Sequence, residues 1–265
     1  MKVMTFNLRF ENDRDGADGW DSRKSMVVDL INRHSPDILG TQEGKPPQLI
    51  FLEEMLPQYI VYMSGRPKES VAQCPTLLIR KERFELISGK DVWLSETPDV
   101  YLSKSWDSAF PRMMSYCRMR DRNTGRRFYA GVTHLDHLGE EARVNQAGII
   151  ADWARQVEDP LIVMGDFNEQ PGSKVHRILT KPETPLLDTW QTLQNQEGEN
   201  AFTHHGFTGI PQRARMDWIL AGPDFKVLDA IILRDQKNGK YPSDHFPYMV
   251  ELEVQQGKST GAQTI

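Results

Sequence analysis

The chain has 265 residues, 38% of them hydrophobic and 26% charged, and a formal net charge of −5. That length and apolar content support one large core, and the acidic balance argues against a general nucleic-acid coat protein. Cys74 and Cys117 offer neither a disulfide framework nor metal-knuckle spacing, which suits packing in a reducing cytoplasm, and no apolar run reaches membrane-spanning length.

Residues 2–10 alternate as a first strand, with Val3, Thr5 and Asn7 on one face and Met4, Phe6 and Leu8 on the other. They show no signal-peptide hydrophobic region. A polar loop, 11–21, leads to a helix over 22–34 with Met26, Val27, Leu30 and Ile31 as its apolar stripe. Residues 38–43 form a second strand that ends in a carboxylate, and a helix over 47–56 opens on proline. The pattern then turns to consecutive strands at 59–63, 76–80, 84–93, 112–121 and 126–135, the last two joined by the hairpin signal Asn123-Thr124-Gly125. The irregular loop 95–111, with Trp106 and Phe110, is long enough to expect a functional role. Val144, Ala147, Ile150, Ala154 and Val157 keep helical spacing over 140–157. A short helix is expected at 173–179 and strands at 215–220, 225–233 and 246–254. Two strand–helix portions flanking strand-rich middles predict an α/β fold, a four-layer αββα sandwich of two packed mixed β-sheets with helices outside. It forms a single domain over 1–254, and the polar residues 255–265 read as a disordered tail.

One stretch organises the rest. Pro160-Leu161-Ile162-Val163-Met164-Gly165 reads as a short buried strand that stops at Asp166, with Asn168 two residues on and Pro171-Gly172 turning the chain away. The carboxyl edge of a sheet is where loops open onto ligands. Polar residues at strand ends add Asn7, Glu43, His134, Asp217, Asp244 and His245. Each alone also has a structural reading as a turn former, a solvated end or a satisfied core histidine. Most of the set offers oxygen and none offers sulfur, which suits Mg²⁺ or Mn²⁺ better than zinc.

The ordered motifs Thr-Phe-Asn7, Gln-Glu43, Thr-His134-Leu, Gly-Asp166-Phe-Asn168, Met-Asp217-Trp-Ile and Ser-Asp244-His245 resemble the endonuclease/exonuclease/phosphatase superfamily, the DNase I-like fold, over about residues 2–254. The wording around His134–Arg143 and Tyr241–Pro247 is similar to a bacterial and fungal branch nearer the nocturnin and deadenylase side than the DNA-repair side. The resemblance implies Asn7, Glu43 and Asp244 as the metal site, and Asp166 with Asn168 as the pair that aligns and activates the attacking water. It implies His245, oriented by Asp217, as the phosphate contact, and His134 as a second donor to a phosphoryl oxygen or the leaving group. The Asp166 carboxylate is expected to face solvent and substrate. Two departures lower the weight of neighbouring readings: Asn7 is followed by Leu8-Arg9-Phe10 where abasic-site endonucleases have a glycine turn, and Arg215-Met216-Asp217-Trp218 replaces the Cys-Asp-Arg signature of inositol polyphosphate 5-phosphatases.

The expected activity is Mg²⁺-dependent hydrolysis of a phosphodiester or phosphomonoester by in-line attack of water. The alternatives are a nuclease acting on DNA or RNA and a catalytically silent binding module. The partner is a phosphate-ester substrate, small molecule or nucleic acid, with no membrane insertion and no protein partner implied. Arg112, Arg118, Arg120 and Arg122 share parity along one strand. Arg112, leaving the long loop, is the one expected to reach the substrate phosphate.

Overall fold

The computed structural model describes residues 1–63, 66–67 and 73–255. In chain order the elements are β1 (Lys2–Asn7), α1 (Trp20–His34), β2 (Ile38–Gln42), α2 (Pro46–Met55), β3 (Tyr59–Val61), β4 (Thr76–Arg80), β5 (Phe84–Trp93), β6 (Met113–Asp121), β7 (Arg127–His134) and α3 (Glu140–Gln156). They continue with β8 (Leu161–Asp166), α4 (Lys174–Thr180), β9 (Leu187–Asp188), α5 (Thr189–Thr192), β10 (Asp217–Ala221), β11 (Phe225–Ile232) and β12 (Tyr248–Val254). Two six-stranded sheets result, in the orders β11-β12-β1-β2-β4-β3 and β5-β6-β7-β8-β10-β9. Each contains one parallel pair bridged by a helix, β1-α1-β2 in the first and β7-α3-β8 in the second.

Period-two alternation assigns the residues of the central strands to a layer. Val3, Ile38, Ile162, Met164 and Ile219 point between the sheets into the central core. Their neighbours Met4, Phe6 and Leu39 face outward onto Val27, Leu30 and Leu52 of α1 and α2. Leu161, Val163 and Leu220 likewise face Ile150 and Ala154 of α3. The four-layer αββα arrangement is therefore the one the order of elements along the chain predicts. Cys74 and Cys117 are both buried free thiols, and burial pushes the Cys117 thiol up to about 12. No helix among the described residues is long and apolar enough to cross a membrane.

The hairpin forms at the expected place. Gly125, at φ 72°, donates to the Asp121 carbonyl at 2.7 Å. The first strand stops at Asn7 rather than residue 10, because Arg9 takes a left-handed φ of 53° and turns the chain out of the sheet. The expected helix at 22–34 starts two residues earlier, at Trp20. The strand expected at 215–220 begins at Asp217, since Arg215 is drawn into a buried ion pair with Asp188 at 2.8 Å. Leu187–Asp188 and Thr189–Thr192 are too short to show periodicity and went unpredicted as β9 and α5. Of the tail expected to be disordered, only Gln255 lies among the described residues, and its N–H donates to the Asp224 carbonyl at 2.7 Å. The rest of that expectation falls outside them.

Candidate active site

Register brings the site together. The parallel pairing of β7 with β8 sets His134 opposite Asp166, and the antiparallel pairing of β8 with β10 sets Asp217 opposite the same residue. In the other sheet β1 and β2 place Asn7 opposite Gln42, and the chain turns at Glu43 with φ 64°. The segment before β12 is stitched to the end of β1, because Ser243 Oγ donates to the Asn7 carbonyl at 2.6 Å. The buried Arg23 guanidinium holds the same junction from below, donating to the carbonyls of Leu8, Arg9 and, at 2.9 Å, Pro242. Gly165 is required where it stands: at φ 154° an added Cβ would lie 2.1 Å from the Thr133 carbonyl oxygen and would prise β8 from β7.

Two carboxylates directly opposite one another repel. Asp166 is 2% exposed and Asp217 is buried beside it. His245 fills the gap, with Nδ1 2.8 Å from Asp217 Oδ2 and Nε2 3.9 Å from Asp166 Oδ2. Burial alone would lower its pKa, but the charge and hydrogen bond of Asp217, with Asp166 and Asp244 beyond, push it up to about 10. His245 is thus an imidazolium that donates through Nδ1 to Asp217. Asp166 is raised to about 7 by burial and by the Asp217 charge, against the pull of His245 and of hydrogen bonds from the Asn168 backbone and the Asn7 amide. This corrects the expectation of a solvent-facing Asp166: it lies at the bottom of the cleft, under its neighbours.

Further up the wall, the Asn168 side-chain amide donates to the Leu135 carbonyl and to His134 Nε2, both at 3.0 Å. Because the carbonyl can only accept, the amide nitrogen is the atom facing both, and His134 Nε2 is an acceptor. Burial, with Arg112, His245 and His137 nearby, holds His134 well below its ordinary range. In this arrangement His134 Nε2 faces the Asn168 amide as an acceptor, with Asp166 Oδ2 3.6 Å away. The Asn7 amide nitrogen likewise bridges Asp166 Oδ2 at 3.0 Å and Glu43 Oε1 at 3.2 Å, while its oxygen accepts from its own chain at Arg9 N, 2.9 Å away. Asn7 links two carboxylates, and its oxygen is turned from the cleft.

Glu43, Arg112, His134, Asp166, Asn168, Asp244 and His245 line one cleft of about 380 Å³, with Asn7 and Asp217 directly behind. Sequence reasoning missed Arg9, His137, His204 and Arg213, which line it too. His204 stands edge-on to His245 with ring centroids 5.0 Å apart. These residues sit in loops, where no periodicity marks them. Four residues of the cleft, Arg9, Glu43, Asn168 and Arg213, have φ between 50° and 66°, a conformation that non-glycine residues adopt at a cost of order 1 kcal/mol each. Arg112 is 7% exposed, with Nε 3.3 Å from Asp136 Oδ2 and Nη2 3.1 Å from His137 Nδ1.

The donor set fits a hard divalent cation. Glu43 accepts only from neutral groups, the Asn7 amide at 3.2 Å and the Phe10 N–H at 3.1 Å, and has no ion-pair partner among the described residues. Asp244 has no cation nearer than Arg9 Nη1, at 3.9 Å. Two carboxylates border the cleft, Glu43 without an ion-pair partner among the described residues and Asp244 with Arg9 at 3.9 Å, an oxygen site of the Mg²⁺ or Mn²⁺ kind. Among the described residues, two groups, Asp166–Asp217–His245 and His204–Asp244–His245, also cluster tightly enough to hold a metal.

The family model described as the Endonuclease/Exonuclease/phosphatase family matches residues 4–245. The mannosyl-6-phosphatase Bt3783 of Bacteroides thetaiotaomicron VPI-5482 superposes with a TM-score of 0.86 at 31% identity, over 96% of this chain and 100% of that one. The human nocturnin catalytic domain shares the fold at 21% identity and a TM-score of 0.74, covering 96% and 93% of the two chains. The uncharacterized protein L388 of Acanthamoeba polyphaga mimivirus is 28% identical over 182 residues, 63% of this chain and 67% of that protein. The chain belongs to the endonuclease/exonuclease/phosphatase family and is a hydrolase of phosphate ester bonds.

Proposed function

We propose that the protein hydrolyses the phosphate monoester of a small molecule with the help of a divalent cation, Mg²⁺ or Mn²⁺. The observation that carries this reading is the placement of His245, 2.8 Å from Asp217 Oδ2 and 3.9 Å from Asp166 Oδ2, on a cleft also lined by the Glu43 and Asp244 carboxylates. Glu43 and Asp244 hold the cation, with Asn7 keeping Glu43 in place. When bound there it supplies Lewis-acid stabilisation of phosphoryl and leaving-group oxygens. Asp166 and Asn168 orient the attacking water, and Asp166 takes its proton as the oxygen–phosphorus bond forms. His245 Nε2–H and Arg112 donate to the equatorial oxygens, where charge accumulates. The bond to the leaving alcohol breaks in line, and the alkoxide takes its proton from solvent.

A small substrate is favoured over a polynucleotide by where the arginines end up. Arg112 lines the cleft, whereas Arg118 is tied to Asp159 at 2.7 Å and Arg120 to Glu85 at 3.3 Å, so these two of the expected row do not line the cleft with Arg112. The monoester is favoured by the similarity to the 31%-identical mannosyl-6-phosphatase Bt3783. The two free buried thiols suit a cytoplasmic protein. The test is phosphate release from sugar phosphates and nucleotides, run beside cleavage of single-stranded RNA and DNA with Mg²⁺ or Mn²⁺. Cleavage of polynucleotide with log affinity falling against log salt at about −0.7 per phosphate neutralised would replace this reading by the nuclease one.

Two variants probe the roles. Chelator is expected to abolish turnover without unfolding the chain, and Glu43→Gln to raise the cation concentration for half-maximal rate at least tenfold. Full activity of Glu43→Gln at low metal would remove Glu43 from the metal site. Asp166→Asn is expected to lose on the order of 10³-fold in rate. Its melting temperature should stay level or rise, because the amide removes the like-charge contact with Asp217 that the cross-strand register imposes. A lowered melting temperature would mark Asp166 as a structural anchor instead.

A further inference from the structure

We propose that the ring of Phe110 is the platform of a leaving-group subsite that takes a sugar ring, an inference that rests on the phosphoesterase reading above. Phe110 is 56% exposed although it lines the cleft. An exposed phenyl ring in a loop normally moves, but this one is fixed from several directions. Its N–H donates to Asp136 Oδ2 at 3.2 Å, its carbonyl accepts from Ser108 Oγ at 2.7 Å, and Pro111 follows. His137 backs it, stacked at 5.6 Å between centroids and 21° between planes. The cleft thus presents an apolar ring that is more than half exposed, on a backbone held in place.

The platform sits one short link from where phosphate would bind. Arg112 Cζ lies 5.8 Å from the Phe110 centroid. With Nε and one N–H of Nη2 committed to Asp136 and His137, Nη1 has no partner among the described residues. A phosphoryl group on Nη1 places the ring of a primary sugar phosphate, joined through a single CH₂–O, over Phe110. His137 Nδ1 accepts from Arg112, so its remaining ring proton is on Nε2, a donor at the platform edge suited to a hydroxyl.

The same features disfavour a nucleobase. The other phenyl ring of the cleft, Phe10, has Arg9 Cζ at 4.7 Å and Lys45 Nζ at 5.2 Å over it, nearer than Arg112 Cζ over Phe110 at 5.8 Å, so a base finds no second open ring to lie against. One open aromatic face with polar donors at its edge matches the C–H face and rim hydroxyls of a sugar.

The experiment compares the wild type, Phe110→Ala and Phe110→Trp by phosphate release with Mg²⁺ and by calorimetric binding without metal, using a hexose 6-phosphate, glycerol 3-phosphate and a nucleoside 5′-monophosphate. The expected result is that the preference for hexose 6-phosphate over glycerol 3-phosphate, in kcat/KM and in Kd, falls about tenfold in Phe110→Ala, mainly through KM, and is retained in Phe110→Trp. An unchanged preference in Phe110→Ala overturns the subsite while leaving the phosphoesterase reading intact. A wild-type preference for the nucleotide overturns the sugar assignment. Failure of the wild type to bind or hydrolyse any of the three overturns both.

Discussion

Replacing His245 or Asp217 with alanine is expected to cost on the order of 10³-fold in kcat/KM, and replacing both is expected to cost little more than either alone. The reason is geometric. His245 is charged because Asp217 Oδ2 lies 2.8 Å from its Nδ1 in a buried setting that would otherwise favour neutral imidazole. Without Asp217 the ring loses both its orientation and the carboxylate that raises its pKa, so the donor to the phosphoryl group disappears as surely as if the ring were deleted. Asp217 Oδ1 is buried without a hydrogen-bond partner, a cost accepted by a side chain whose other oxygen has a specific task. Independent, multiplicative losses in the double variant would show that Asp217 serves something other than His245. The pH profile adds a second check. The wild type should keep its activity toward pH 10, where His245 gives up its proton, and Asp217→Ala should lose its residual activity at much lower pH.

Asp136→Ala is expected to lower stability by about 4 kcal/mol, roughly 10 °C in melting temperature for a domain of this size. Asp136 is fully buried, and its two oxygens accept from five donors. Ala109 N, Phe110 N and Arg112 Nε reach Oδ2 at 3.0, 3.2 and 3.3 Å, and Leu138 N and Gly139 N reach Oδ1 at 3.0 and 2.8 Å. Burial raises the pKa of such a carboxyl, but these donors hold it well below the usual carboxylate range. Alanine leaves all five donors unsatisfied and the Arg112 charge buried alone. Asp136→Asn should fare little better, since its NH₂ must face donors on whichever side it turns. Because Arg112 and Phe110 are both positioned by this one side chain, KM for a phosphate ester should rise with the loss of stability. A melting temperature within 2 °C of wild type would show that water or backbone movement replaces the carboxylate.

Much of the layered fold was legible because period-two alternation is a local property of the chain. Val3 and Thr5 could be separated from Met4 and Phe6 before any partner strand was known, and the apolar run Leu161–Met164 marked a buried strand. Polar residues at strand ends were legible for the same reason: Glu43, His134 and Asp166 each follow an apolar run. The order of those motifs along the chain carried the family.

Register and charge state belonged to the tertiary structure. Nothing in the stretch around Asp166 says that Asp217 will sit directly across from it, that His245 will enter between them as a cation, or that Asp166 will be buried rather than solvent-facing. Nor does Asn7 alone reveal that its amide nitrogen will bridge two carboxylates contributed from 36 and 159 positions away. Arg9, His204 and Arg213 reach the cleft from loops, and Phe110 becomes a platform only because Asp136, in a different loop, ties down its backbone. Side-chain periodicity depends on neighbours along the chain and can be read from it. Register, desolvation and Coulomb interaction depend on groups brought close in space from distant positions, and only the folded chain sets those distances.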